Sequence, residues 1–208
     1  QTGGRGRLGR TWFSPPGENL YTSFVLRPDL DLKRLPLITL TAGLAVADVV
    51  ASRVQGRVGV KWPNDVYIDG RKASGILSEV QMAGARAAWV VVGIGINVHA
   101  RAFPPEIADR ATSLALAGAT SLHRGDLFVD LAAALFARVQ MLVQGNERAL
   151  IDALRTRDEL QGRPITVDGA PATALGIAED GSLKIRRQDG REDRCVAGEV
   201  QLGYDGRR

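Results

Sequence analysis

Apolar residues along the chain recur with two periods. Over residues 36–54, Leu37, Leu40, Leu44, Ala47 and Val50–Ala51 fall at helical spacing, with Pro36 suited to the first turn and Gly56 placed to end the element. Residues 126–142 repeat the pattern as an amphipathic helix with Asp126 as its candidate N-cap, and residues 147–157 form another. Between the first two, the pattern is that of strands. Residues 19–26 (NLYTSFVL) are rich in β-branched and aromatic side chains and follow a Pro15-Pro16-Gly17 turn. Residues 57–61 form a short strand. Residues 66–68 and 72–80 form a hairpin around Asp69-Gly70, a strong two-residue turn signal. Residues 88–98 (AWVVVGIGINV in the core of this run) predict a buried strand.

From Pro164 the pattern changes to short strands broken at Asp168-Gly169, Asp180-Gly181 and Asp189-Gly190. Turns at roughly ten-residue intervals suggest a small β-barrel. The fold class expected is therefore α/β (α+β), a mixed sheet with helices over residues 1–160, followed by a small all-β domain over 161–208.

The remaining bulk properties mainly exclude. At 208 residues the chain can bury a real core, and 45% hydrophobic with 24% charged residues is ordinary for a globular protein. There is no run of eighteen apolar residues, so no membrane-spanning helix is expected. The single Cys195 leaves no internal disulfide and fits a buried apolar position better than a reactive thiol. His99 and His123 lack metal-ligand spacing, and no protein metal site is expected. The net charge of +4 is unevenly placed: up to Pro28 there are four arginines against Glu18 alone. A charge excess confined to one Gly-Arg loop points to a small anion rather than to a nucleic-acid surface.

Three motifs carry candidate chemistry. Gly4-Arg5-Gly6-Arg7-Leu8-Gly9-Arg10 matches G-x-G-x-x-G, yet no strand precedes it and Pro15-Pro16 follow it, so it is not a dinucleotide fingerprint. Its glycines let backbone approach an anion, and Arg5, Arg7 and Arg10 supply forks for carboxylate or phosphate. The plain alternative is a flexible basic segment. Lys61-Trp62-Pro63-Asn64-Asp65 ends a strand in a turn; either it buries Trp62, or it sets Lys61 on a phosphate and uses Asn64 and Asp65 to orient a nucleotide or metal. Lys72 follows the hairpin turn, close to Ser74-Gly75, where a strand glycine suggests close approach of a ligand. A solvated hairpin lysine is the alternative. Gly93 and Gly95 in a Val/Ile strand raise the same choice between ligand approach and a bulge, and Asn97 offers an amide suited to an adenine edge.

The ordered set GRGRLGRTWFSPPGENLY, KWPNDVYIDGRKASGIL and GIGINV, followed by a small β domain, resembles the biotin–protein ligase family over nearly the whole chain. The resemblance implies a class II synthetase-like catalytic domain and a C-terminal SH3-like barrel. It also implies a two-step reaction. Biotin and ATP give biotinyl-5'-AMP and pyrophosphate, and a lysine of a biotin carboxyl carrier protein then takes the biotinyl group and releases AMP. By resemblance the catalytic residues are Lys72, Arg5 and Arg7. Gln1, Gly4, Arg5, Lys72 and Gly75 line the biotin pocket. Arg7, Arg10, Trp12, Lys61, Asn64, Asp65 and Asn97 lie on the ATP side, with Mg2+ bridging phosphate oxygens. The expected location is the cytoplasm, with monomer and homodimer both open and no nucleic acid bound by this chain.

Members of that family carry an upstream stretch of the catalytic domain, and some also a winged-helix repressor domain. The first residue here already belongs to the first motif. The expectation is an N-terminally incomplete ligase whose isolated chain binds biotin weakly or not at all, which tight stoichiometric binding in a calorimetric titration would contradict. Three other readings stay open. A lipoate or octanoyl ligase of the same fold would prefer lipoate in a side-by-side adenylation assay. A non-catalytic sensor of biotinyl-adenylate would tolerate loss of Lys72. A nucleic-acid-binding protein would show salt-sensitive DNA retention.

Overall fold

The computed structural model describes residues 1–84 and 86–203. Its first sheet contains β1 (Leu20–Leu26), β2 (Val58–Lys61), β3 (Asp65–Ile68), β4 (Arg71–Ala83) and β5 (Arg86–Ile96). These pair antiparallel in the order β1-β5-β4-β3-β2. Helix α1 (Leu35–Ala51) connects β1 to β2, while α2 (Arg124–Val143) and α3 (Glu147–Thr156) come after β5, and α1 lies between the sheet and the other two helices. A sandwiched helix is apolar on most sides, and Ile38, Ala42, Leu44, Ala45, Val46, Ala47 and Val50 of α1 are fully buried.

Strand alternation assigns the two faces of this sheet. Val90, Val92, Ile94 and Ile96 of β5 are buried in the core, as is Ile76 of β4. The alternate residues Gly75, Leu77 and Glu79 of β4 and Gly93 and Gly95 of β5 line an open cleft on the other face.

The hairpin turn forms as the sequence predicts. Asp69 and Gly70 take φ of 47° and 76°, the left-handed pair that a tight hairpin demands. Two local expectations need correction. Helix α1 stops at Ala51, with the Ser52 N–H donating to the Asp48 carbonyl, so Gly56 does not end it. Gly56 instead lies against the Asp69 carboxylate, where a Cβ would collide. Helix α2 starts earlier than expected. His123 is its N-cap, and Asp126 sits in the first turn, where its charge complements the helix dipole.

The C-terminal part is a second five-stranded antiparallel sheet, in the order β10-β6-β7-β8-β9. Its strands are β6 (Pro164–Val167), β7 (Ala170–Ile177), β8 (Leu183–Arg187), β9 (Glu192–Cys195) and β10 (Val200–Leu202). Cys195 is buried, as its sequence setting suggests, and its thiol donates to the Ala197 carbonyl at 2.9 Å.

This sheet is fastened to the first at several points. The connecting segment runs beside β2, with the Val60 N–H donating to the Arg157 carbonyl and the Glu159 N–H to the Val60 carbonyl. The indole of Trp62 donates to the Gly181 carbonyl at 3.0 Å, and Gly181, at a φ of 80° that favours glycine, packs against Leu37 and Leu40 of α1. Among the described residues no helix is long and apolar enough to cross a membrane.

Candidate active site

Residues 4–12 close into a loop with its own hydrogen bonds. The Trp12 N–H donates to the Gly4 carbonyl at 2.9 Å, and the Gly6 N–H to the Arg10 carbonyl at 2.7 Å. Gly4 is required by crowding, since a Cβ there would lie 2.6 Å from the Trp12 carbonyl oxygen. The loop's three arginines diverge. Arg5 lines the cleft, and its guanidinium makes no hydrogen bond or ion pair among the described residues. Arg7 donates to Asn64 Oδ1 at 3.2 Å, tying the loop to the Lys61–Asp65 turn. Arg10 pairs with Glu199 at the start of β10, so the second sheet also holds the loop. Hydrogen bonds from Gln201 and from Arg10 keep the Glu199 carboxyl below the usual glutamate range.

The loop lays Trp12 on the sheet. Gly75 and Gly95 are opposite each other on β4 and β5, and a Cβ on either would meet the Trp12 ring at 2.9 Å. The two strand glycines thus make a flat floor for an indole. Lys72 reaches the same place from the side, its ammonium 5.4 Å from the Trp12 ring centre and 2.6 Å from Asp65 Oδ1. It does so because β4 carries one extra residue. Val66 pairs with Ser74 while Tyr67 pairs with Lys72, leaving Ala73 as a bulge. An extra residue reverses the alternation, which puts Lys72 and Gly75 on one face.

The cleft has a volume of about 360 Å³ and joins Gln1, Arg5, Trp12, Asn64, Lys72 and Gly75, with Tyr21 and Ser23 of β1 and Glu79 of β4 also in its lining. Gly4 supports its loop wall. Asn64 is fixed from both sides, its backbone carbonyl accepting the Ile76 N–H and its own amide donating to the Ile76 carbonyl. Asp65 is buried beneath Lys72.

Two residues named from the sequence sit elsewhere. Lys61 is buried at the junction of the two sheets, where its ammonium donates to the Val200 carbonyl at 2.6 Å. Burial lowers its pKa from the ordinary lysine value, against an opposing pull from Asp65. Asn97 is also buried; its amide donates to the Thr112 carbonyl at 2.9 Å and does not line the cleft. The sequence reading missed the bulge at Ala73 and the role of Glu199. It also missed the segment 110–112, which pairs with Lys72 through an isolated bridge between Lys72 and Ala111. No motif marks that segment; its one cue was the apolar-polar run Ala111-Thr112-Ser113 after a proline-rich stretch.

The cleft thus brings together the Arg5 guanidinium, the Lys72–Asp65 pair and the Trp12 ring seated on Gly75 and Gly95. The chain as a whole is similar to known ligases. Residues 1–97 match the model of the biotin/lipoate A/B protein ligase family. The biotin protein ligase of Aquifex aeolicus, solved in complex with biotin and ATP, superposes with a TM-score of 0.83. It is 31% identical, over 98% of this chain and 85% of that one. The biotin--[acetyl-CoA-carboxylase] ligase of Paracoccus denitrificans is 34% identical, covering 92% of this chain and 83% of the relative. The chain belongs to the biotin–protein ligase family. It is also 32% identical to the bifunctional ligase/repressor BirA of Bacillus subtilis, over 98% of this chain but 64% of that protein's length.

Proposed function

We propose that this chain carries out ATP-dependent ligation of biotin to a lysine of a biotin carboxyl carrier protein, through biotinyl-5'-AMP. The biotin carboxylate attacks the α-phosphorus of ATP and pyrophosphate leaves. The carrier's lysine amine then attacks the acyl carbon of the mixed anhydride, AMP leaves, and the amine gives up its proton. The observation that carries this reading is the place of Lys72. It stands on the β4 bulge inside the cleft, beside Asp65 and the glycine floor, with Arg5 facing the same space.

Both steps build negative charge on oxygens that water would otherwise solvate, and fixed cations in a closed cleft offset it without reorganising. Lys72 is proposed to serve the carboxylate and α-phosphate. Arg5, whose guanidinium has no partner among the described residues, is proposed for the acyl-phosphate, with Arg7 and Asn64 holding the loop across it. Trp12 and the glycine floor suit a planar ring. Gln1, Gly4 and Gly75 remain assigned to the biotin side.

Mg2+ fits the residues present. It is bound by one or two carboxylates together with substrate phosphates, and Asp65 is a buried carboxylate beside the proposed phosphate position. When bound, the ion would neutralise charge on the phosphate oxygens. The cytoplasm is the proposed location, where ATP and carrier are both available.

The test is to incubate the chain with biotin, ATP, Mg2+ and a biotin-accepting carrier domain and read the carrier's mass. Biotinyl-lysine with biotin and no adduct with lipoate is expected; a lipoyl adduct, or none, overturns the reading.

A further inference from the structure

The Gly-Arg loop runs back to the first sheet through residues 12–15, and it lands on two residues at the start of β1. The Tyr21 hydroxyl donates to the Pro15 carbonyl at 3.3 Å and accepts from the Asn19 side-chain amide at 3.1 Å. Burial raises the Tyr21 pKa above the ordinary tyrosine value, with the Asn19 hydrogen bond opposing it, so at neutral pH the hydroxyl keeps the proton it donates.

Asn19 is itself fixed from the sheet and from the helix layer. Leu20 opposite Ile96 is the last pair of β1 and β5 at this end. Just past it, Asn19 Oδ1 accepts the Val98 N–H at 2.8 Å, and the neighbouring Glu18 carbonyl accepts the His99 N–H at 2.9 Å. The Asn19 carbonyl accepts from the guanidinium of Arg124, the first residue of α2, at 3.3 Å. The residue is 3% exposed. A fixed post therefore stands behind the Tyr21 hydroxyl, and the strap from Trp12 to Pro15 is tied to it. That strap carries the indole that lies on the glycine floor, and the Trp12 N–H closes the loop on the carbonyl of Gly4, the neighbour of Arg5.

We infer that Tyr21 is a positioning residue: its hydroxyl, held by Asn19, anchors the 12–15 strap and through it sets Trp12 and Arg5 over the cleft. The inference rests on the function proposed above for the cleft. A tyrosine hydroxyl has one hydrogen to donate, and Pro15 takes it, so no donor is left there for a ligand. Tyr21 lines the cleft all the same. Removing only the hydroxyl keeps that lining and frees the strap, and a shift of about 1 Å at a group that meets the reacting atoms lowers rates by about a hundredfold.

The test uses two variants. Tyr21→Phe keeps the ring and removes the hydroxyl. Asn19→Asp keeps the acceptor for the Val98 N–H and removes the donor to Tyr21, so the phenol turns its proton to the carboxylate and lets go of Pro15. In the ligand-free chain, hydrogen exchange over residues 4–15 is expected to rise at least about threefold in both variants, with β4 and β5 protected as in wild type. In adenylation, read as biotin-dependent pyrophosphate release, Tyr21→Phe is expected to lower kcat by about 10–100-fold with a KM for biotin within about threefold of wild type. The double variant is expected to add less than about twofold to the larger single loss, because both changes break one link. Loop exchange as slow as wild type in Tyr21→Phe overturns the inference, as do losses that multiply in the double variant. A raised KM for biotin with kcat kept also overturns it, since the hydroxyl would then be a ligand contact. If Asn19→Asp does not fold, the exchange and kinetics of Tyr21→Phe decide alone. A wild-type chain that releases no pyrophosphate with biotin is a separate failure, that of the proposed function, and the exchange measurement then decides the anchor.

Discussion

The ammonium of Lys72 and the carboxylate of Asp65, on neighbouring strands, are 2.6 Å apart in a cleft that also takes up the Trp12 ring. Side-chain exposure is 31% for the lysine and 12% for the aspartate, so the pair is shielded enough to hold its geometry and open enough to meet a ligand. Asp65→Asn keeps the shape and removes the charge that fixes Lys72. Adenylation is expected to slow by about 10–100-fold, with a higher Mg2+ requirement. A magnesium titration of pyrophosphate release checks both effects; an unchanged titration contradicts the placement of Asp65.

Gly75 and Gly95 are required by the indole above them. A Cβ on Gly95 would lie 2.9 Å from both Cε2 and Nε1 of Trp12, and a ring cannot yield as a flexible side chain does. Gly95→Ala is expected to push Trp12 off the floor, which moves part of the tryptophan emission to longer wavelength and slows adenylation about tenfold or more. Unchanged emission together with an unchanged rate would show that the floor does not seat the ring.

Lys61 separates a supporting role from a catalytic one. Its ammonium is spent on the Val200 carbonyl, so removing it leaves a buried acceptor without a donor. Lys61→Met is expected to destabilise the chain by about 1–3 kcal/mol in urea unfolding, while the KM for ATP changes little. A KM raised tenfold with stability intact would return Lys61 to the phosphate.

Asp158 gives a pH dependence with a definite sign. One carboxyl oxygen accepts the Leu160 N–H at 2.8 Å, and the other is buried with no hydrogen-bond partner among the described residues. Burial raises its pKa, with neighbouring Glu159 adding to the effect and backbone N–H groups opposing it. The folded chain therefore holds this proton more tightly than the unfolded chain. Its contribution to stability is full below the ordinary aspartate pKa and is lost as pH rises through the raised value. Asp158→Asn never ionises, so its melting temperature is expected to exceed the wild-type value by about 2–4 °C at pH 7. That gap should close as pH falls toward the ordinary aspartate range. A gap of the same size at every pH would contradict the account.

Much of the fold can be read from local signals because its elements are locally consistent. The Asp69-Gly70 turn needs two left-handed residues and has two that adopt that geometry. Helix α1 is apolar on nearly every side because it is covered on nearly every side. The candidate site was legible where chemistry is carried by residue type, as with Arg5, Lys72 and the strand glycines. It was not legible where position depends on pairing between distant segments. The bulge at Ala73 exists only in the register of β4 against β3. The grip of residues 110–112 on Lys72 is made by backbone atoms, which any sequence supplies. Lys61 has the side chain a nucleotide site uses, but the second sheet claims it first. The early stop of α1 and the early start of α2 are set by backbone caps at Ser52 and His123, neither of which carries a strong capping signal.

The central claim is that Lys72 promotes acyl-adenylate formation in this cleft. The measurement that tests it most directly is biotin-dependent release of pyrophosphate from ATP by the wild-type chain and by Lys72→Ala. The account predicts release with biotin and not with lipoate, slowed at least about a hundredfold in the variant. Equal rates in the two chains, or release that does not depend on biotin, would contradict it.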